Sequence, residues 1–136
     1  MSTLVHKLAR AGDLVGLGLL LQSNPLLAQS HEGQNGPIHS AASNDQDGAI
    51  ALLLNKGANV NSRNQDGMTP LHCAADGNFK AAKVLIESGA ELDALFNGYT
   101  PAALALSGQT AEGFEIAQLL FSSGAQQGLR IACILR

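Results

Sequence analysis

The amino-acid sequence predicts an all-α repeat fold, a solenoid of paired antiparallel helices from which hairpin-like loops project. Histidines recur every 33 residues, at His6, His39 and His72. An apolar triplet with i, i+3, i+4 spacing, which forms one face of a helix, follows each of these anchors. Self-similarity at a period of roughly 20–50 residues is the signature of a solenoid, because each copy buries its apolar stripe against its neighbours.

The length and composition favour one helical domain. Of the 136 residues, 46% are hydrophobic and 4% aromatic, with no Trp, so Ala, Leu, Ile and Val must build the core. Such a composition is typical of helical proteins. The net charge of −3 is spread without blocks of one sign, which leaves no basic surface for nucleic-acid phosphates. We therefore expect no nucleic-acid partner.

The first copy begins with residues 3–9, Thr-Leu-Val-His-Lys-Leu-Ala. It ends in Asn24-Pro25, where we expect Asn24 to take the left-handed backbone that glycine supplies in the other copies. Its second helix carries the apolar triplet Leu17, Leu20 and Leu21.

The same region also resembles a secretory signal, because Lys7 and Arg10 precede the apolar run 14–21. Asp13 directly before the run and the match to the other copies favour a repeat instead. The run is too short to cross a bilayer, so we expect no membrane association.

The second and third copies have the clearest helix starts. Residues 36–42 read Gly-Pro-Ile-His-Ser-Ala-Ala, and residues 69–75 read Thr-Pro-Leu-His-Cys-Ala-Ala. The Thr69 hydroxyl can cap a helix whose first turn accepts Pro70, and the small alanine pairs let neighbouring helices approach closely. The second helices carry Ile50, Leu53 and Leu54 in one copy, and Ala82, Leu85 and Ile86 in the other.

Glycines close these second helices and a loop follows. Gly57 and Gly89 supply the positive φ that the helix ends require. Residues 57–67 place Val60, which we expect to be buried, among polar residues and end in an Asp-Gly turn. The segment is therefore predicted to be a projecting hairpin-like loop.

The fourth copy departs most from the pattern. It begins at Thr100-Pro101 and has Ala103 where the other copies have histidine. About three extra residues fall within residues 106–113, where we expect an enlarged loop. The second helix carries Ala117, Leu120 and Phe121 and closes at Gly124.

Residues 57–90 resemble an ankyrin repeat, with Gly-Ala-Asn-Val-Asn, then Asp-Gly-Met-Thr-Pro-Leu-His-Cys-Ala-Ala, then a closing Glu-Ser-Gly-Ala. The resemblance implies a single ankyrin-repeat domain over residues 1–136. The approximate repeats are 2–33, 34–66, 67–97 and 98–127, numbered one to four below. The apolar segment 128–136 is left with three interpretations: a short helix packing over the end of the stack, a truncated fifth repeat, or a dimer contact.

The sequence offers no catalytic, metal or cofactor site. In ankyrin repeats the histidines equivalent to His39 and His72 bond backbone groups, so the resemblance implies a structural role for them. His31-Glu32 lacks the second histidine of a zinc-hydrolase motif, and no phosphate-binding loop or nucleophile elbow occurs. Cys73 and Cys133 form no metal-binding pair, and Cys73 is expected on a core-facing helix. We therefore expect no enzyme and no cofactor.

The resemblance further implies that a protein partner binds the concave face formed by the loop tips and the first helices. We expect Met68, Phe96 and Tyr99 to dominate, because aromatic and Met side chains contribute most at interfaces. The alternative is that either aromatic ring packs against its own loop. The partner-binding residues carried over from the family's variable positions are Glu32, Asn35, Ser43, Asn44, Arg63, Gln65, Met68, Asp76, Phe96 and Tyr99.

These features favour a regulatory or adaptor module that binds a protein. The chain is expected to be cytoplasmic and monomeric, with dimerisation through residues 128–136 left open. One alternative is a structural scaffold, or a fragment of a longer ankyrin protein, that self-associates through its apolar C-terminal end. The other is a secreted or periplasmic protein, if the N-terminal apolar run acts as a signal.

Overall fold

The computed structural model describes residues 2–29 and 36–124, which contain eight α-helices and one short 3-10 helix at Pro25–Gln29. The only β pairing among these residues is an isolated antiparallel bridge between Phe96 and Tyr99. The predicted all-α fold is therefore confirmed. The helices are α1 (Ser2–Ala11), α2 (Leu14–Ser23), α3 (Pro37–Ser43), α4 (Asp47–Asn55), α5 (Pro70–Ala74), α6 (Phe79–Glu87), α7 (Pro101–Ser107) and α8 (Ala111–Ser122).

Each repeat contributes one helix to each of two layers. The first helices α1, α3, α5 and α7 contact one another in sequence order, and so do the second helices α2, α4, α6 and α8. Within a repeat the first helix also packs against the second. The chain thus builds a stack in which every interior helix pair has a neighbour on both sides.

The core between the layers is aliphatic. The alanine pairs 41–42 and 74–75 are at most 1% exposed and let α3 and α5 pack closely. Full burial of one large aliphatic side chain contributes at most about 1.5–3 kcal/mol, so short helices depend on the whole stack. The largest buried apolar side chains are Val5, Leu17, Leu21, Ile50, Leu53, Leu71, Leu85, Ile116 and Leu120.

Two apolar residues are less buried than expected. Val60 is only half-buried, because it lies in the projecting loop where the core covers it from one side. Cys73, expected to face the core, is also half-buried, and part of its surface faces a cavity between repeats two and three.

The helix ends predicted from the sequence are found in three of the four repeats. Gly57, Gly89 and Gly124 have φ values of 101°, 89° and 111°, which confirms the left-handed turns. The expectation for Asn24 is wrong, since its φ is −148°. Pro25 is the cause: the residue before a proline is sterically driven into the extended region. The chain then enters the 3-10 helix.

The extra residues of repeat four do not enlarge a loop. Helix α8 has 12 residues, whereas α4 and α6 have 9 each, so the insertion adds about one turn of helix. The Thr110 hydroxyl accepts a hydrogen bond from the Gly113 N–H at 3.0 Å and caps this added turn. A Cβ atom at Gly113 would collide with the Ala105 carbonyl oxygen, so the close approach of α7 and α8 requires glycine.

No helix in the described part of the chain is both long and apolar enough to cross a membrane. The segment 128–136, whose role the sequence left open, lies outside the described residues.

Candidate protein-binding surface

His39 fastens repeat two to the loop that follows it. Its Nδ1 accepts the Gly36 N–H at 3.3 Å, so Nε2 carries the proton. Nε2 donates to the carbonyl oxygens of Ser62 and Met68, each at 3.0 Å. The ring is fully buried. One histidine therefore joins a helix start to both sides of the next loop.

His72 does the same for repeat three. The Thr69 hydroxyl donates to its Nδ1 at 2.7 Å, and its Nε2 donates to the Tyr99 carbonyl oxygen at 3.0 Å. Burial lowers the pKa of His72; the charge of Arg63 lowers it further, while the carbonyls of Tyr99 and Ala94 oppose the shift. The ring is accordingly neutral near pH 7, with both nitrogens in hydrogen bonds.

The loop held by His72 ends in a tight hairpin. Phe96 and Tyr99 exchange two backbone hydrogen bonds of 2.9 Å. Between them Asn97 and Gly98 have φ values of 51° and 81°, as a type I′ turn requires. Asn-Gly is the strongest short-range sequence signal for this turn. The sequence therefore indicates this hairpin, although the predictions above missed it.

The preceding loop is organised around Asn64. Its backbone N–H donates to the Met68 carbonyl oxygen at 2.9 Å, and its side-chain oxygen accepts the N–H groups of Asp66 and Met68 at 3.0 and 2.9 Å. Gly67, with a φ of 89°, completes the predicted Asp-Gly turn. The bonds fix the loop tip and leave Gln65 and Asp66 exposed.

Arg63 links the two loops. Its Nη1 donates to the carbonyl oxygens of Gly67 and Leu95, both at 2.8 Å. The Asn61 side-chain oxygen also accepts the Glu91 N–H at 2.7 Å. Arg63 is exposed, as a contact residue should be, but its guanidinium already has two partners within the molecule.

A cavity of about 300 Å³ opens between repeats two and three. It brings together three of the predicted contact residues, Ser43, Met68 and Asp76. Asp66 and Asp76 give it an acidic rim, and no Lys or Arg lines it. The remaining lining residues were not predicted from the sequence; they are Asn64, Asp66, His72, Cys73 and Asn78.

One of the missed residues left a signal in the sequence, and another did not. Asp66 occupies the predicted Asp-Gly turn, and turn tips are exposed by construction. Cys73 left no such signal, because its equivalent in repeat two, Ser40, is a buried polar residue. In the structure, burial raises the pKa of the Cys73 thiol, and a hydrogen bond with the Ser43 side chain opposes that shift.

The other predicted contact residues lie outside this cavity. Tyr99 is 50% exposed, whereas Phe96 is half-buried with its ring edge-on to His72 at a centroid distance of 5.9 Å. Asn44 is exposed, and its side chain donates to the Ser40 carbonyl oxygen at 2.8 Å. Glu32 and Asn35 lie outside the described residues.

Residues 2–29 and 36–124 contain no group of three His, Cys, Asp or Glu side chains placed to hold a metal ion. His39 and His72 use both ring nitrogens for the scaffold. What the surface offers is a half-exposed tyrosine, a methionine beside a cavity, and two carboxylates.

Comparison with known proteins agrees with this architecture. The family model for three consecutive ankyrin repeats matches residues 5–95 and again residues 38–131. A probable E3 ubiquitin-protein ligase of Oryza sativa subsp. japonica is 38% identical over 109 residues, which cover 78% of this chain and 19% of the relative. A putative ankyrin repeat protein of Rickettsia bellii is 34% identical over 92 residues, covering 62% of this chain and 38% of the relative.

A third relative is the target of rapamycin complex 2 subunit AVO2 of Saccharomyces cerevisiae, 37% identical over 91 residues. The match covers 65% of this chain and 21% of that subunit. The chain thus spans about a fifth of the length of the rice and yeast relatives.

Proposed function

The chain belongs to the ankyrin-repeat family, and on this basis we propose that it is an adaptor or regulatory module that binds a protein partner through its loop tips and first helices. Ankyrin repeats are in general protein-interaction modules, and catalysis forms no part of the proposal.

The observation that carries the proposal is the cavity between repeats two and three. Ser43 comes from α3, Met68 from the following loop, and Asp76 from the turn after α5, yet all three line one opening. Binding hot spots commonly lie in concave, well-packed pockets, and this one is lined by side chains from separate elements. The cavity therefore favours this side of the stack as the binding face.

Exposed side chains on the next loop are also suited to a protein interface. Tyr99 and Leu95 are each 50% exposed on the loop that leads into repeat four. Aromatic and Met side chains dominate binding energy where they become buried, and charges at the rim steer the approach. We therefore expect Met68 and Tyr99 to supply affinity, and Asp76 to supply orientation.

The test is a comparison of three proteins in crosslinked affinity capture from the native host, with quantification by mass spectrometry. The face variant carries Met68→Ala, Asp76→Ala and Tyr99→Ala. Phe96 is left intact because its ring supports His72. The control variant carries Lys80→Ala, Lys83→Ala and Glu87→Ala, which lie exposed on α6.

We expect the wild-type and control proteins to enrich the same partner and the face variant to lose it, with circular dichroism spectra and melting temperatures alike. Capture that survives in the face variant but is lost in the control would place binding on the second helices and refute the proposal.

The relatives support the proposed adaptor role. We propose the cytoplasm as the compartment of this protein. In the rice ligase and the yeast complex subunit the matched repeats are about a fifth of the protein, so the remaining length is available for another task. Cys73 is a free thiol, which suits a reducing compartment.

A further inference from the structure

Hydrogen bonds across the repeat boundary hold the walls of the cavity between repeats two and three. The Asp45 carboxylate, in the turn of repeat two, accepts the Ala81 N–H of α6 at 2.9 Å. The Asn78 side-chain amide donates to the Ser43 carbonyl oxygen at 3.3 Å. The width of the cavity is therefore set by the stacking of the repeats and does not depend on a ligand.

Most polar groups that line this cavity already have a partner within the molecule. The side-chain oxygen of Asn64 accepts two backbone N–H groups, and both ring nitrogens of His72 form hydrogen bonds. The Cys73 thiol forms a hydrogen bond with the Ser43 side chain. These groups are committed to the scaffold, so a ligand must be recognised mainly by the other lining residues.

Two carboxylates are the strongest acceptors that remain. Asp66 lies in the loop before α5 and Asp76 in the turn after it, and both residues are exposed. Arg63 is on the same loop as Asp66, but its Nη1 bonds the carbonyl oxygens of Gly67 and Leu95. Since no Lys or Arg is among the lining residues, the negative charge of the cavity is not neutralised there.

The size and lining of the cavity favour a single long side chain. Its volume of about 300 Å³ is at the lower end of the range for ligand pockets, which leaves room for one side chain or a small group. Met68 is half-buried in the lining, and its flexible thioether packs readily against an alkyl stem. A negative pocket with such a wall suits an alkyl chain that ends in a positive charge.

Arginine fits these acceptors better than lysine. The carboxylates belong to different elements, and the Asn78 amide group lies in the same lining, so the oxygen acceptors are spread around the cavity. A guanidinium group offers five N–H donors in a fixed plane and is less strongly hydrated than an ammonium group. It therefore loses less hydration on entering and reaches acceptors in more than one direction.

We propose that the cavity binds an arginine side chain of the protein partner, with the guanidinium group attracted to Asp66 and Asp76 and the alkyl stem against Met68. This inference rests on the proposed function, because it names the side chain that the binding face recognises. It also gives Asp66 a role in recognition that the sequence did not reveal.

The test is an NMR titration of the isotope-labelled full chain at constant ionic strength, with N-acetyl-arginine methylamide as the probe. The citrulline compound, which has nearly the same shape but no charge, and the lysine compound are the matched probes. The backbone amide signals of Ser43, Met68 and Cys73 report occupation of the cavity.

The acidic variant carries Asp66→Asn and Asp76→Asn, which keep the size of both side chains. The control carries Glu87→Gln and Glu115→Gln, which remove the same charge from exposed positions on α6 and α8. Circular dichroism and melting temperatures, measured for each protein, separate loss of binding from loss of the fold.

We expect the arginine probe to shift the cavity signals of the wild-type and control proteins with equal affinity. The acidic variant should bind it about fivefold more weakly, because each exposed ion pair contributes only about 0.2–1 kcal/mol. The citrulline probe should lose about the same factor on the wild-type chain, and the lysine probe should bind more weakly than the arginine probe.

Four results would overturn the inference: no shift of the cavity signals, equal binding of the arginine and citrulline probes, tighter binding of the lysine probe, or unchanged affinity in the acidic variant. Its failure is distinguishable from failure of the proposed function. If the wild-type chain and the acidic variant capture the same partner but neither binds the arginine probe, the binding face stands and the arginine does not. Binding of the probe by a chain that captures no partner would have the opposite meaning.

Discussion

Repeats three and four begin alike and then differ at one position. Thr69-Pro70 and Thr100-Pro101 both start helices, and both threonine hydroxyls accept the N–H of the third helical residue, at 3.3 and 3.2 Å. Repeat three has His72 at that residue and repeat four has Ala103. The imidazole reaches the Tyr99 carbonyl oxygen in the next loop, whereas a methyl group reaches no partner.

The exchange of histidine for alanine separates two roles of the repeat's first helix: starting the helix and holding the loop that follows. Starting the helix requires only the threonine, the proline and the backbone, which repeat four retains. Holding the following loop requires the ring, which spans from the helix start to a carbonyl 27 residues later. The histidine is therefore a link between repeats: His39 and His72 each hold the loop that follows their own repeat.

Removing the ring from repeat three should have the largest effect. We expect His72→Ala to lower the free energy of unfolding by about 2–3 kcal/mol, because it leaves a cavity and an unpaired, part-buried carbonyl. Urea denaturation followed by circular dichroism measures this, with exposed Lys83→Ala as a control within about 0.5 kcal/mol. Hydrogen exchange should also show faster exchange at Phe96 and Tyr99 than in α7. A loss below about 1 kcal/mol would contradict the role assigned to the ring.

Removing the two helix-capping hydroxyls should show a smaller, graded effect. The Thr69 hydroxyl bonds both the His72 N–H and its Nδ1, whereas the Thr100 hydroxyl bonds the Ala103 N–H. We expect Thr69→Val to cost about 1–2 kcal/mol and Thr100→Val about 0.5–1 kcal/mol, measured by thermal and urea unfolding. Equal costs would mean that the bond to the ring adds nothing to the cap.

The smallest effect should appear in the dependence on pH. Burial lowers the pKa of His72 below its usual value of 6.5, so as pH falls below 6.5 the unfolded chain takes up a proton before the folded one does. The free energy of unfolding should therefore fall as pH drops through this range, and this contribution should be flat above it. The stability gap between wild type and His72→Ala should narrow in acid. A gap that stays constant would show that His72 titrates alike in both states.

The helices were predictable because their signals are local. Thr69-Pro70, Gly57 and Gly89 determine starts and ends through their own backbone preferences. The errors arose where a neighbour overrode such a preference, as Pro25 does for Asn24, or where an insertion continued a helix, as after Thr110. Only part of the candidate site was predictable, because the cavity requires Ser43 of repeat two and Asp76 of repeat three to meet across a repeat boundary, and no local pattern records that distance.

The position of Arg63 has a consequence for the entropy of binding. Because its guanidinium spans the carbonyl oxygens of Gly67 and Leu95, two successive loops are ordered relative to each other when the chain folds. A ligand that touches both loops then meets a preorganised surface, and less conformational freedom remains to be lost at the moment of binding. An arginine with no direct contact to a ligand can in this way raise the affinity for one.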